Sequence, residues 1–333
     1  NNNNMTEDKI EQSLLDTLAQ MGWEIVNGPT IGPDGTMERG YADVVLERRL
    51  DLALGRLNPE LQPAQRDEVV KRIVRTGGSD LLADNRDFHT LLTDGVNVEY
   101  RHSDGSVRTA QARLFDFDNP ENNDFVAVNQ LTVVQSDINR RPDVVLYING
   151  LPLVVIELKN AADSAASLGV AFNQIQTYKQ QISSLFRFNE LCVISDGLDA
   201  RVGTVTALSE RFMAWKTIDG EREAGNVPEL ETLARGVFDK VRLLDIVRDI
   251  TSRRVSAEVI EATDIRLSQL PADATVAGAA AVAMAPAALV REVTGQAIGG
   301  VAPVGHPAPL PTYLDQDLQD YEQIWAAAGT PHS

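Results

Sequence analysis

One cysteine in 333 residues, Cys192, leaves no partner for an internal disulfide and too few thiolates for a cysteine-based zinc site, which points to the reducing cytoplasm. Histidine is also sparse: His89, His102, His306 and His332 are scattered, so no histidine-based metal site is expected. No apolar run approaches the ~20 residues that span a bilayer, so no membrane partner is expected. The opening NNNNMTEDKIEQ lacks a basic stretch ahead of an apolar core and is not a secretory signal; Asn1 to Asn4 are set aside. Positive charge is scarce: 30 basic against 48 acidic side chains leave −18. A free-standing nucleic-acid binder usually shows a basic face, because phosphate neutralisation supplies most of its affinity. Action on nucleic acid would therefore call for local arginines, bound metal or partner subunits. A G-x-x-x-x-G-K-[ST] loop is missing, and no lysine follows Lys240, so the phosphate-gripping lysine of an ATPase is absent.

What is present is a globular pattern, 43% apolar and long enough for one large or two modest domains. Ile10, Leu14, Leu15 and Leu18 recur at helical spacing over Thr6 to Met21. Trp23 to Val26 reads as extended, Asp43 to Leu57 and Pro63 to Thr76 as amphipathic helices. Val96 to Tyr100 and Arg108 to Phe117 form a hairpin pattern, and Phe125 to Val134 a further strand. A helix is expected from about Ala165 to Ser184, strands at Leu191 to Asp196 and just beyond Gly197, and a last helix from Leu230 to Thr251. Beyond Arg254 the composition turns to Ala, Val, Gly and Pro without period, so residues 254–333 are expected to form an unpacked, low-complexity tail, with one short helix at Tyr313 to Ala328.

The stretch RPDVVLYINGLPLVVIELKN, Arg141 to Asn160, is the most apolar of the chain, yet it carries Asp143 near one end and Glu157 and Lys159 at the other. Asn149-Gly150 is the strongest short hairpin signal, so strands 143–148 and 151–159 should pair antiparallel. Register then decides the chemistry. An odd loop or a bulge sets Asp143 opposite Glu157; a regular ladder from a two-residue turn turns the acids to opposite faces. The odd loop or bulge is expected, with Val145, Tyr147, Leu153, Val155, Glu157 and Lys159 on the face of Asp143. Two carboxylates kept from water repel unless one is protonated or a cation sits between them. Oxygen ligands suit Mg²⁺, and a lysine beside them can orient or deprotonate a metal-bound water or stabilise a developing phosphorane charge. The bland alternative is a same-face ion pair of Glu157 with Lys159 at a strand end. Arg140 and Arg141 stand just before Asp143 and are read either as phosphate contacts or as solvated strand-end charges.

In AFNQIQTYKQQI, Gln174 and Tyr178 lie four apart, on one helix face beside the apolar Phe172, Ile175, Ile182 and Leu185. D-x13-E-x-K followed by Q-x-x-x-Y resembles the signature of RecB-type PD-(D/E)-x-K nucleases. The longer run VNQLTVV…RPDVVLYINGLPLVVIELKN…AFNQIQTYKQQI…FNELCVISDG, with GWEIVNGP and RLLDIVRDIT, is similar to the amino-terminal nuclease domain of type I restriction endonuclease R subunits, over about Glu7 to Thr251.

That resemblance implies an α/β, restriction-endonuclease-like core over residues 5–253, a mixed central sheet flanked by helices, followed by the tail. It implies that Asp143 and Glu157 bind Mg²⁺, that Lys159 is the catalytic lysine, that Gln174 and Tyr178 help to hold DNA, and that a first-helix acid, Glu11 ahead of Glu7, joins them. It implies DNA as substrate, with separate specificity and methyltransferase subunits as partners and ATP used only by motor domains. No motor is encoded here, so a truncated product is expected, with a genuine short relative as the alternative. Two other functions compete: a non-catalytic remnant that docks on the complex or occupies DNA, favoured by the −18 charge, and a stand-alone nuclease of the same fold.

Overall fold

The computed structural model describes residues 7–252, apart from 76, 77, 79, 102–104, 161–167 and 221; the tail beyond 253 and its expected helix lie outside the described residues. Helix α1 (Glu7–Gln20) buries Ile10, Leu14, Leu15 and Leu18, the face its spacing announced, and stops at Gly22, whose φ of 83° suits glycine alone. Strand β1 (Glu24–Asn27) and a single turn, α2 (Gly28–Ile31), follow. Helix α3 (Glu47–Leu57) begins four residues later than the apolar spacing predicts. The Asp43 carbonyl accepts from Arg39 and the Leu46 N–H donates to the Gly150 carbonyl, so Val44 to Leu46 are held as a buried loop against a distant turn.

Helix α4 (Pro63–Arg75) matches its pattern, whereas α5 (Leu81–Asp94) was not anticipated. Its signals are ordinary ones: the Asp80 side chain accepts from the Leu82 N–H at 3.0 Å, and Gly95, at φ 79°, closes the helix. Strands β2 (Val96–Arg101) and β3 (Val107–Ala112) pair antiparallel, and β3 ends before Phe117 because the Arg113 N–H turns to Asn58 Oδ1. The single strand expected over 125–134 divides into β4 (Phe125–Asn129) and β5 (Val133–Gln135), broken at Gln130, whose φ is 53°. Strand β6 (Ile138–Arg140) pairs with β5.

Strands β7 (Val144–Ile148) and β8 (Leu151–Leu158) are buried throughout, and each Val, Leu or Ile so enclosed contributes about 1.5–3 kcal/mol. Helices α6 (Leu168–Gln181) and α7 (Ser183–Phe186) carry the chain to β9 (Leu191–Ser195) and β10 (Ala200–Thr204). The last expected helix is two, α8 (Glu229–Val237) and α9 (Lys240–Ser252). Between them the Phe238 carbonyl accepts from the Trp23 indole, and Asp239 caps α9 by accepting from the Arg242 N–H.

The main sheet runs β1-β4-β7-β8-β9-β10, with β1–β4 and β8–β9 parallel and the remaining neighbours antiparallel. This is the mixed, helix-flanked sheet the sequence resemblance implied. The apolar hairpin occupies its centre, α1 packs on β1 and β8, and α6 packs on β8 and β9. Both helices therefore reach the strand that carries Glu157.

Candidate active site

Asn149 and Gly150 close the central hairpin with φ of 52° and 80°, the paired positive values of a two-residue primed turn. Ile148 pairs with Leu151 and Tyr147 with Pro152, but Leu146 pairs with Val154. Leu153 is thus an extra residue, a β-bulge, with no partner on β7. Pro152, which offers no N–H, sits beside it, and the Leu153 carbonyl turns to the N–H of Glu190 at 2.7 Å and to Asn189 Nδ2 at 3.3 Å. Past the bulge Val144 pairs with Ile156, which carries Asp143 to Glu157 on one face. The expected register is present, through the bulge and not through an odd loop.

Pro142 precedes Asp143, and Asp143 Oδ2 accepts from the Leu158 N–H at 2.7 Å, bonding the two strand ends through the carboxylate. Glu157 is 2% exposed; its Oε1 accepts from Lys159 Nζ at 2.6 Å. Lys159 also donates to the Leu158 carbonyl, and its own N–H donates to the Ser195 carbonyl on β9. Burial pushes Asp143 up to about 6 against the Leu158 bond and the Lys159 charge, with Glu11 and Glu7 adding repulsion. Burial and the Asp143 charge push Glu157 up to about 7 despite Lys159. Lys159 loses basicity to burial but regains more from Glu157 and Asp143, so it is held above the ordinary lysine value.

Glu11 is half-buried on α1; Oε1 accepts from Asn129 Nδ2 at 2.7 Å and Oε2 accepts from Gln130 Nε2. Gln130 Nε2 also lies 3.5 Å from Asp143 Oδ1. Glu7, one turn earlier, is exposed and touches the site only through its charge. Tyr178 is buried, and burial, the Glu157 and Asp143 charges and a side-chain hydrogen bond to Glu157 hold its phenol far above the ordinary tyrosine range. Gln174, one turn before Tyr178, is half-buried, and no hydrogen bond among the described residues ties it to the carboxylates. Arg140 donates to Gln181 Oε1 at 2.5 Å and approaches Tyr178; Arg141 is exposed. Asn129 and Gln130 escaped the sequence reading, because an amide at a strand end carries no pattern of its own.

The donor set fits a hard divalent ion. Among the described residues no three His, Cys, Asp or Glu side chains converge to hold a metal by themselves. Two carboxylates do converge, and Mg²⁺ is commonly held by one or two carboxylates, its other positions going to water and phosphate. No described helix is long and apolar enough to cross a membrane.

Residues 4–211 match the family described as type I restriction enzyme R protein N terminus, and residues 264–333 match the family described as aminoacyl-tRNA editing domain. The second match falls in the stretch that composition alone reads as low complexity. Over 250 residues, 73% of the chain, the sequence is 40% identical to the type I restriction enzyme HindI endonuclease subunit of Haemophilus influenzae, covering 24% of that protein. It is 26% identical over 251 residues to the EcoprrI endonuclease subunit of Escherichia coli, covering 73% of the chain and 72% of that protein. A Staphylococcus aureus endonuclease subunit, SauMSSORF170P, is 28% identical over 59% of the chain and 19% of its own length. The chain spans about a quarter or less of the HindI and S. aureus subunits.

Proposed function

Because the chain belongs to the type I restriction enzyme R protein N-terminal family, we propose that residues 7–252 form a Mg²⁺-dependent DNA endonuclease unit of such a system. The observation that carries this reading is the bulged register, which sets Asp143 beside Glu157 with Lys159 bonded to Glu157 Oε1 and the Tyr178 phenol turned to the same carboxylate. Asp143 and Glu157 would hold the ion, which when bound would supply a Lewis acid for the phosphodiester and for an attacking water.

Lys159, kept protonated by its two acids, stabilises the negative charge that develops on the phosphate oxygens as water attacks phosphorus. The same shift argues against Lys159 as the base. Tyr178 stays protonated and serves as a hydrogen-bond donor at the rim, with Gln174 beside it on α6. Arg140, tethered to Gln181, and the exposed Arg141 contribute the local positive charge that a chain of −18 otherwise lacks. Cleavage within a complex of specificity, methyltransferase and ATP-driven motor components belongs to this proposal.

Supercoiled plasmid incubated with the purified chain and Mg²⁺, alone and with added complementing subunits, tests it. Cleavage by wild type, at least ~100-fold reduced in Asp143→Ala and Lys159→Ala, is expected from the loss of an electrostatic stabiliser. Cleavage that is independent of Mg²⁺, or equal in Asp143→Ala, sinks the reading. The −18 charge favours the competing one, a non-catalytic docking element, for which no cleavage occurs under any of these conditions. For residues 264–333 the separate family match favours an independent role in aminoacyl-tRNA editing, tested by deacylation of mischarged tRNA by the full chain.

A further inference from the structure

Gln130 is the point where three segments of the chain meet at the carboxylate pair. Its backbone N–H donates to the Asp143 carbonyl at 2.7 Å, its side-chain Nε2 donates to Glu11 on α1, and the same nitrogen lies 3.5 Å from Asp143 Oδ1. It takes a left-handed backbone conformation, φ 53°, which is uncommon for glutamine. The backbone here is closely packed: a Cβ on Gly28 would lie 2.6 Å from the carbonyl oxygens of both Asn129 and Gln130. Such a strained non-glycine position persists only where its surroundings over-determine it.

The direction of the amide is also determined. Glu11 as a carboxylate can only accept, and Asn129 occupies its other oxygen, so the Gln130 NH₂ must face Glu11 and, with it, Asp143. Asp143 then has one donor on each oxygen, Leu158 N–H on Oδ2 and Gln130 Nε2 on Oδ1. The plane of the carboxylate is set, and lone pairs remain on both oxygens.

We propose that Gln130 is a positioning residue that orients the Asp143 carboxylate for a divalent cation, with Glu11 acting through the Gln130 amide and not as a direct ligand. This rests on the metal-centre reading of Asp143 and Glu157. It reassigns Glu11: α1 supplies the anchor that fixes the amide, and Asp143 supplies the ligand. Outer partners of this kind typically carry 10- to 100-fold in metal affinity.

The test is Mn²⁺ binding to the full chain, followed by the loss of the free-ion electron paramagnetic resonance signal, without DNA or turnover. Gln130→Gly deletes the amide while suiting the left-handed backbone, and Gln130→Met keeps the reach without a donor. Both are expected to weaken Mn²⁺ about 10- to 100-fold, with the metal-free melting temperature of Gln130→Gly close to wild type. In Glu11→Ala the anchor is lost, and combining it with Gln130→Gly should weaken binding no further than Gln130→Gly alone. Wild-type Mn²⁺ affinity in both Gln130 variants, alongside lost binding in Asp143→Ala, overturns the positioning role and leaves the metal centre standing. Wild-type affinity in Asp143→Ala overturns the metal centre and this role with it.

Discussion

Asp143 and Glu157 are acids kept where acids are costly, and the cost has a sign. Burial first, then the charges of Glu11 and Glu7 on Asp143 and of Asp143 on Glu157, raises them to about 6 and about 7, from ordinary values near 3.8 and 4.5. Between these limits the native state holds protons that the unfolded chain has released. Their contribution to stability is therefore complete below about pH 4 and is lost as pH climbs through 6 and 7. At about 1.4 kcal/mol per unit, the shifts correspond to at most about 3 to 3.5 kcal/mol each. On the proposed reading a divalent ion would bind the deprotonated pair and restore that stability, so Mg²⁺ should raise the melting temperature more at about pH 8 than at about pH 5. Melting curves in chelator and in Mg²⁺ at the two pH values measure this. An increment that is equal at both, or larger in acid, contradicts it.

The turn that closes the central hairpin makes a separate demand. Gly150 has a φ of 80°, and a Cβ there would sit 2.5 Å from the Leu46 carbonyl oxygen and 2.8 Å from the Leu50 nitrogen, both backbone atoms at the start of α3. Gly150→Ala should cost more than ~1 kcal/mol through backbone strain alone and shift urea unfolding accordingly, while Mn²⁺ affinity of the folded fraction stays unchanged. Loss of metal affinity without loss of stability would place the turn in the site itself. Asn149-Gly150 was legible in the sequence because a primed turn needs two residues that tolerate positive φ, and few pairs do. The Leu153 bulge could be expected only as one of two ways to align Asp143 with Glu157. Both faces of β7 and β8 are apolar, so no alternation marks the residue at which the register shifts. What holds it, the Asn189 side chain and the Glu190 N–H on the Leu153 carbonyl, comes from more than thirty residues away. Gln130 was invisible for a related reason: its role lies in a backbone conformation and in partners on two other elements. The late start of α3 and the break between α8 and α9 arise likewise from tertiary bonds, Leu46 to Gly150 and Trp23 to Phe238, that apolar spacing does not register.

Across the chain, 48 acidic against 30 basic side chains work against DNA, yet Asp143 is half-buried, Glu157 is buried, and Lys159 is bonded to Glu157. On the proposed reading, attraction to phosphate would be local and would depend on the ion as much as on the protein. All the residues placed at the site belong to 7–252, on elements of one six-stranded sheet and the helices packed on it. Their order in the chain, Glu11, Gln130, Asp143, Glu157, Lys159 and Tyr178, is gathered by α1, the end of β4, the central hairpin and α6. The account stands on the occupancy of one point in that arrangement. Crystals of the full chain soaked in Mn²⁺, with anomalous differences recorded at the manganese edge, address it directly. A peak about 2.0–2.3 Å from an Asp143 oxygen and from Glu157 Oε2 is the result predicted. A peak elsewhere, or none at Mn²⁺ concentrations that support DNA cleavage, would contradict it.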